Sequence, residues 1–417
     1  MVEQSLAQAA PLHFSFETSL LALSCLLILS IFTEKIGLRL GMPGAIFLFF
    51  VGLFFHVSGF SFKGFPLEEV HAIALTVLLF FSGLSFDRSL LKRSGQLMSS
   101  VQLAVLGTVF SMAFLLFYLR FGIGIFQSWT GYLDGVKPSI VSLITVIIVA
   151  SIAVQDWNAF AFVSGKIKDL KSIVSDVFKV ETAISASIAV AIAELAILIW
   201  LAFISAFGAN QGGELLPKIF YGIWLGTATG LAFGFLLTLV IRFLVTSNSQ
   251  LVLAALAFVF AGYGVTVTFV VAAQGGYLCA LVMGVVTSMA YRNSSTEGEI
   301  SFLSESLDSV NIASEAILFF VVGLGLNAGS FLMHLPMAFY AWMGIVLVRP
   351  ISVSLFFRRG HLPPKEKMLL ASFSPKGAIS MALVITAPTM LEHTFGLDVS
   401  GALSPGSLEF MDDVVCG

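Results

Sequence analysis

The chain has 417 residues, 58% of them hydrophobic and only 11% charged, with a net charge of −3 and a mean hydropathy of +1.00. Soluble domains carry about 25% charged residues, so this composition excludes a soluble globular protein and defines a polytopic membrane protein. The small net charge gives no footing for a nucleic-acid partner, and Cys25, Cys279 and Cys416 lie too far apart, with no CxxC and no Cys/His cluster, for a disulfide framework or a zinc site.

The N-terminus, MVEQSLAQAAPLHFSFETS, lacks the basic n-region of a cleaved signal peptide, so the first apolar run is expected to remain as a span. Apolar windows long enough to cross about 30 Å of hydrocarbon fall near 16–33, 43–60, 70–86, 97–119, 139–163, 180–206, 219–241, 250–271, 276–290, 307–328, 334–356 and 366–388. They predict an all-α chain with about twelve transmembrane helices in a single domain over 1–417. With the N-terminus outside, fifteen of the 21 Lys and Arg residues fall in inside segments and four outside, while Arg349 and Lys376 lie within spans. Positively charged loops stay cytoplasmic, so this skew supports both the span count and the orientation. The tail 389–417 is polar, would lie outside and could precede a further helix.

Span seven places Gly222, Gly226, Gly230 and Gly234 on one helix face. Close packing against a neighbouring helix is the expected use, with a dimer contact as the alternative. Six ionisable residues fall within spans: Asp156, Glu181, Glu194, Glu315, Arg349 and Lys376. Each must find a partner or a polar cavity, because an isolated charge in hydrocarbon costs at least a few kcal/mol. Asp156 follows Gln155 in IVASIAVQDWNAFAF, and Lys376 sits in the breaker run Ser374-Pro375-Lys376-Gly377. Span twelve is therefore expected to unwind near Lys376, with spans five and twelve as a matching pair of discontinuous helices, the pattern of a secondary transporter's ion site. In span six, Glu181 and Ser185 share a face with Thr182 nearby. Glu181 either pairs with a buried arginine or binds an ion directly; Glu194, on another face, suits a helix end. Glu315 is open between cavity carboxylate and packing partner, and Lys376 suits charge compensation.

Several segments resemble the monovalent cation/proton antiporters of the sodium/proton exchanger type: LLFFSGLSFD in span three, QGGYLCALVMGVV in span nine, SEAILFFVVGLGLN in span ten, VLVRPISV in span eleven and SPKGAISMAL in span twelve, where Lys376 replaces an arginine. The resemblance implies an inverted-repeat fold with crossed, broken helices in spans five and twelve, working as a homodimer in membrane lipid, without a cofactor, and exchanging Na+ or K+ for H+. Asp156 matches the family's span-five aspartate, with Trp157 in place of proline. Glu181 matches the start of the family's ExxxND motif, and Arg349 the arginine that pairs with it. Gln155, Thr182 and Ser185 then line the ion site beside Asp156.

The motif's Asn-Asp reads Ser185-Ala186 here, so the carboxylate that usually exchanges cation for proton is absent from position 186. Two readings follow: an antiporter in which Asp156 supplies the carboxylate, or a transport-deficient relative serving as a regulatory or scaffolding membrane subunit. An intramembrane enzyme has no support, since HExxH, GxGD and GxSxG are all missing. The expected location is the cell (plasma) membrane.

Overall fold

A chain this apolar must satisfy its backbone polar groups internally, and the described residues form helices and their connections, with no strand among them. The computed structural model describes residues 16–40, 42–58, 67–85, 99–130, 138–155, 159–160, 174–175, 177–182, 184–185, 188–189, 192, 212–245, 247–270, 273–291, 297–325, 328–357, 363–374, 376–377 and 380–381. The helices are α1 (Phe16–Leu40), α2 (Ala45–Val57), α3 (Leu67–Leu84), α4 (Thr108–Thr130, entered through a π turn at Leu103–Gly107) and α5 (Pro138–Ala153). In α6 the helical residues 174–175, 177–182, 184–185, 188–189 and 192 are described. There follow α7 (Gly212–Phe243), α8 (Asn248–Val270), α9 (Ala273–Tyr291), α10 (Glu297–Gly325), α11 (Ala328–Phe356) and α12 (Pro364–Ser372).

These helices coincide in order with the twelve apolar windows, and among the described residues six are long and apolar enough to cross a membrane by themselves. α10 starts well before its apolar window, because the polar turn EGEISFLSES continues the helix outside the hydrophobic stretch. Large apolar side chains such as Phe117, Trp224, Leu253, Phe269 and Phe339 face outward, a surface that water would not tolerate and lipid does.

The packing repeats itself with an offset of seven helices. Gly52 of α2 meets the Phe320 carbonyl of α10 and Gly323 of α10 meets the Phe49 carbonyl of α2, so that a Cβ on either glycine would overlap the partner backbone. The same reciprocal contact joins α9 and α3, where Gly284 meets the Phe80 carbonyl and Gly83 meets the Leu281 carbonyl. In all four cases the carbonyl belongs to the residue three before the partner glycine. α4 and α11 are the next pair in the series, and they meet each other. Tyr118 and Tyr340 stack at 4.2 Å, each ring covers the other helix's glycine, Gly344 and Gly122, and Tyr340 donates to the Tyr118 carbonyl at 3.1 Å. Further along, Ser111 bonds Ser352 at 3.0 Å and Phe110 contacts Phe356, so α4 and α11 run antiparallel. The two halves are inverted repeats.

The glycine face of α7 packs within the chain. Gly226 lies on Gly275, Gly230 on Cys279 and Val282, and Gly234 on Val286 and Met283 of α9. The helix-packing reading of span seven therefore holds.

Gly284→Ala is expected to destabilise the protein by about 1–3 kcal/mol, because the added methyl meets backbone rather than a movable side chain. Gly264→Ala, in open space, is expected to be neutral or stabilising by up to about 1 kcal/mol. Thermal unfolding in detergent measures both; equal midpoints would sink the close-packing argument.

Candidate functional site

Two helices are interrupted where they meet. α5 ends at Ala153 and continues as the non-helical residues Val154 and Gln155; α12 ends at Ser372, followed by non-helical Phe373, Ser374, Lys376 and Gly377, and helix is present again at Ser380 and Met381. This is the break expected in span twelve, with its counterpart in span five. The breaks touch: Lys376 Nζ donates to the Val154 carbonyl at 2.8 Å, and Ser374 Oγ donates to Gln155 Oε1 at 3.1 Å.

A helix that ends inside a protein leaves carbonyls without intrahelical partners and a partial negative charge at its C-terminus. Lys376 supplies both a donor and a positive charge to the end of α5. Arg349 of α11 does the same for α12, with Nε donating to the Leu370 carbonyl at 3.1 Å. The rest of its guanidinium forms a bidentate pair with Glu181 of α6, Nη1 to Oε1 and Nη2 to Oε2, the latter at 2.8 Å. Both residues are buried. Around the pair, Phe160 and Phe178 stack at 4.1 Å, Phe373 meets both rings, and the Arg349 guanidinium lies 5.4 Å from the Phe178 ring centroid. This apolar wall excludes water, which strengthens the charge-assisted bonds inside it.

α6 also reaches the break in α5. Ser185 Oγ accepts the Gln155 backbone N–H at 3.2 Å and donates to the Thr182 carbonyl at 3.3 Å. Ser185 thus holds the unwound strand, and Gln155 spans from it to Ser374 of α12. Thr182 Oγ1 and Ser380 Oγ are buried without a hydrogen-bond partner among the described residues, so both hydroxyls are available to a ligand. Such an array of carbonyls and hydroxyls beside two unwound backbones suits a dehydrated monovalent cation.

Of the residues singled out in the sequence, Gln155, Thr182, Ser185 and Lys376 gather at the crossing and Glu181 and Arg349 pair beside it. Asp156, Trp157, Ala186 and Glu194 lie outside the described residues. Glu315 is elsewhere, in a cavity shared with Glu34, Asp308 and Asn311. Sequence reasoning missed Ser374 and Ser380, the Val154 and Leu370 carbonyls and the Phe160–Phe178–Phe373 cluster. Ser374 had a signal, a hydroxyl directly before the Pro-Lys-Gly breaker; the carbonyls had none, since any residue carries one.

An inverted-repeat membrane bundle with two broken helices crossing beside a buried ion pair is the architecture of a cation/proton antiporter. The family model for the sodium/hydrogen exchanger transmembrane region matches residues 22–395, and the chain belongs to that family. Its fold is similar to that of the sodium/proton antiporter MjNhaP1 from Methanocaldococcus jannaschii at pH 8, with a TM-score of 0.70 and 16% identity over 96% of each chain. A second structure of MjNhaP1, from electron microscopy, gives a TM-score of 0.65 at 16% identity, covering 96% of this chain and 95% of the other. No curated protein matches the chain in sequence. The family is one of membrane transporters, in line with the resemblance seen in the motifs of spans three, nine, ten, eleven and twelve.

Arg349→Met leaves Glu181 as an unpaired buried carboxylate and should cost about 3–5 kcal/mol. Removing both charges, in Glu181→Leu with Arg349→Met, should recover much of that loss. A double-mutant cycle on thermal unfolding in detergent would read the coupling, and a double variant no more stable than the arginine single would refute it.

Proposed function

We propose that this protein exchanges a monovalent cation, Na+ or K+, for H+ across the cell membrane by alternating access, with its N-terminus outside and as a homodimer. The reading rests above all on the meeting of the α5 and α12 breaks, where Lys376 and Ser374 bond to Val154 and Gln155. Backbone unwound in lipid is tolerated where it lines a cavity or is buried in protein, and crossed discontinuous helices form such a place.

Asp156, next in the chain after Gln155, is the exchanging carboxylate. One negative charge serves either a cation or a proton, and this competition couples the two fluxes. Thr182 Oγ1, free of other bonds among the described residues, completes the oxygen shell with Gln155 and Ser185. Glu181 is neutralised by Arg349 and takes no part in exchange. The skew of Lys and Arg toward inside loops supports the orientation.

In proteoliposomes with an imposed pH gradient, added Na+ or K+ should collapse the gradient with the parent protein, and Asp156→Asn should abolish the collapse. Activity that appears only on Ala186→Asp would overturn the assignment of Asp156 and mark position 186 as the vacant exchange site.

A further inference from the structure

Apart from the crossing, the molecule contains a cavity of about 210 Å³ between α1, α2 and α10. Glu34 enters it from α1, Asp308, Asn311 and Glu315 from α10, and Ala159, three residues beyond Asp156 in sequence, also lines it. Asn311 is 2% exposed, and its Oδ1 has no hydrogen-bond partner among the described residues. A buried amide oxygen without a donor is costly, and a cation supplies the interaction it lacks.

We infer that this cavity is a second monovalent-cation site, in which Asn311 Oδ1 and the carboxylates of Glu34 and Asp308 hold a partly hydrated ion apart from the α5–α12 crossing. Asn311 provides a hard, neutral oxygen of the kind that coordinates alkali and alkaline-earth ions. Ser30 and Thr33 donate their hydrogens to carbonyls of their own helix, at 2.7 and 3.0 Å, so what they offer the cavity is oxygen lone pairs. Glu34 lies against Gly44, the N-cap of α2, where the end of the helix favours negative charge. No three acidic, His or Cys side chains close into a metal-chelating cage among the described residues. A hydrated monovalent ion needs no such cage, and the cavity has room for several waters. Its ion class rests on the proposed exchange, while its residues are separate from that site.

The test is equilibrium binding of radiolabelled Na+ to the purified full chain in detergent at pH 8, with choline as the control. Asp156→Asn should retain sodium binding. Adding Asn311→Leu to it should weaken that binding at least tenfold, and adding Glu34→Gln, a half-buried position with little effect on folding, should weaken it severalfold. If Asp156→Asn alone removes all binding, or if Glu34→Gln and Asn311→Leu leave it unchanged, the cavity is a water-filled vestibule only and the inference falls. Binding that depends on Asn311 in a protein that shows no transport would reject the antiport reading and leave this site standing.

Discussion

The structure depends on how two helix ends are neutralised inside a membrane. α5 stops among buried residues and α12 stops beside it at Ser372, and carbonyls at each end are met by a cation, Lys376 for α5 and Arg349 for α12. Each bond answers the exposed carbonyls and the partial charge of a helix C-terminus at once. The consequences propagate outward. Arg349, buried to reach Leu370, needs a counter-charge, and Glu181 provides it in bidentate geometry. That fixes α6 against α11 and brings Ser185 to the Gln155 amide. The aromatic rings around the pair then keep the local dielectric low, so the bonds do not have to compete with water.

The remaining scaffold is built to hold the crossing in place. Glycine-on-backbone contacts between α2 and α10 and between α9 and α3 bring helices closer than any side chain would permit, and in lipid such packing replaces the hydrophobic drive that water would supply. The same contact occurs twice, related by the seven-helix offset that also relates α4 to α11 and α5 to α12. A two-fold arrangement explains why both broken helices end in the same region and why both ends are capped by a positive charge. One repeat supplies its cation from within a break, as Lys376, and the other from the adjacent helix α11, as Arg349. The internal symmetry is thus one of electrostatic need, with different residues meeting it.

Much of this was legible in the sequence because its causes are local. Span number and order followed from hydropathy, and the break in α12 followed from Ser-Pro-Lys-Gly. The Glu181–Arg349 pair followed from the rule that buried charges pair, together with the family motif. The break in α5 was harder to see, because IVASIAVQDW has no proline or glycine; its cause is tertiary, a backbone bond to Ser185 thirty residues away. The division of labour at the crossing was also hidden. Ser185 reads as a polar site residue, and in the structure its hydroxyl bonds to the Gln155 backbone and the Thr182 carbonyl. The role of Glu315 could not be decided from its helix alone, since its cavity is completed by α1 and α2, nearly three hundred residues earlier in the chain.

The replacement at position 186 can be weighed against this geometry. Exchange requires a negative charge whose two occupants exclude one another, and a carboxylate held in a fixed ion pair cannot serve, because its charge is already answered. Glu181 is excluded on that ground, since both of its oxygens are bound to Arg349. Lys376, which donates to Val154, brings positive charge to the crossing, so an anionic partner there is favoured and a cation alone is not. Asp156 has the required sequence position, one residue beyond an amide that Ser185 holds and a side chain that Ser374 holds. In this proposal the exchanging charge follows α5 in the chain rather than belonging to α6. The proposed exchange therefore needs no new architecture, only that the carboxylate of Asp156 alternate between releasing a proton and binding a cation.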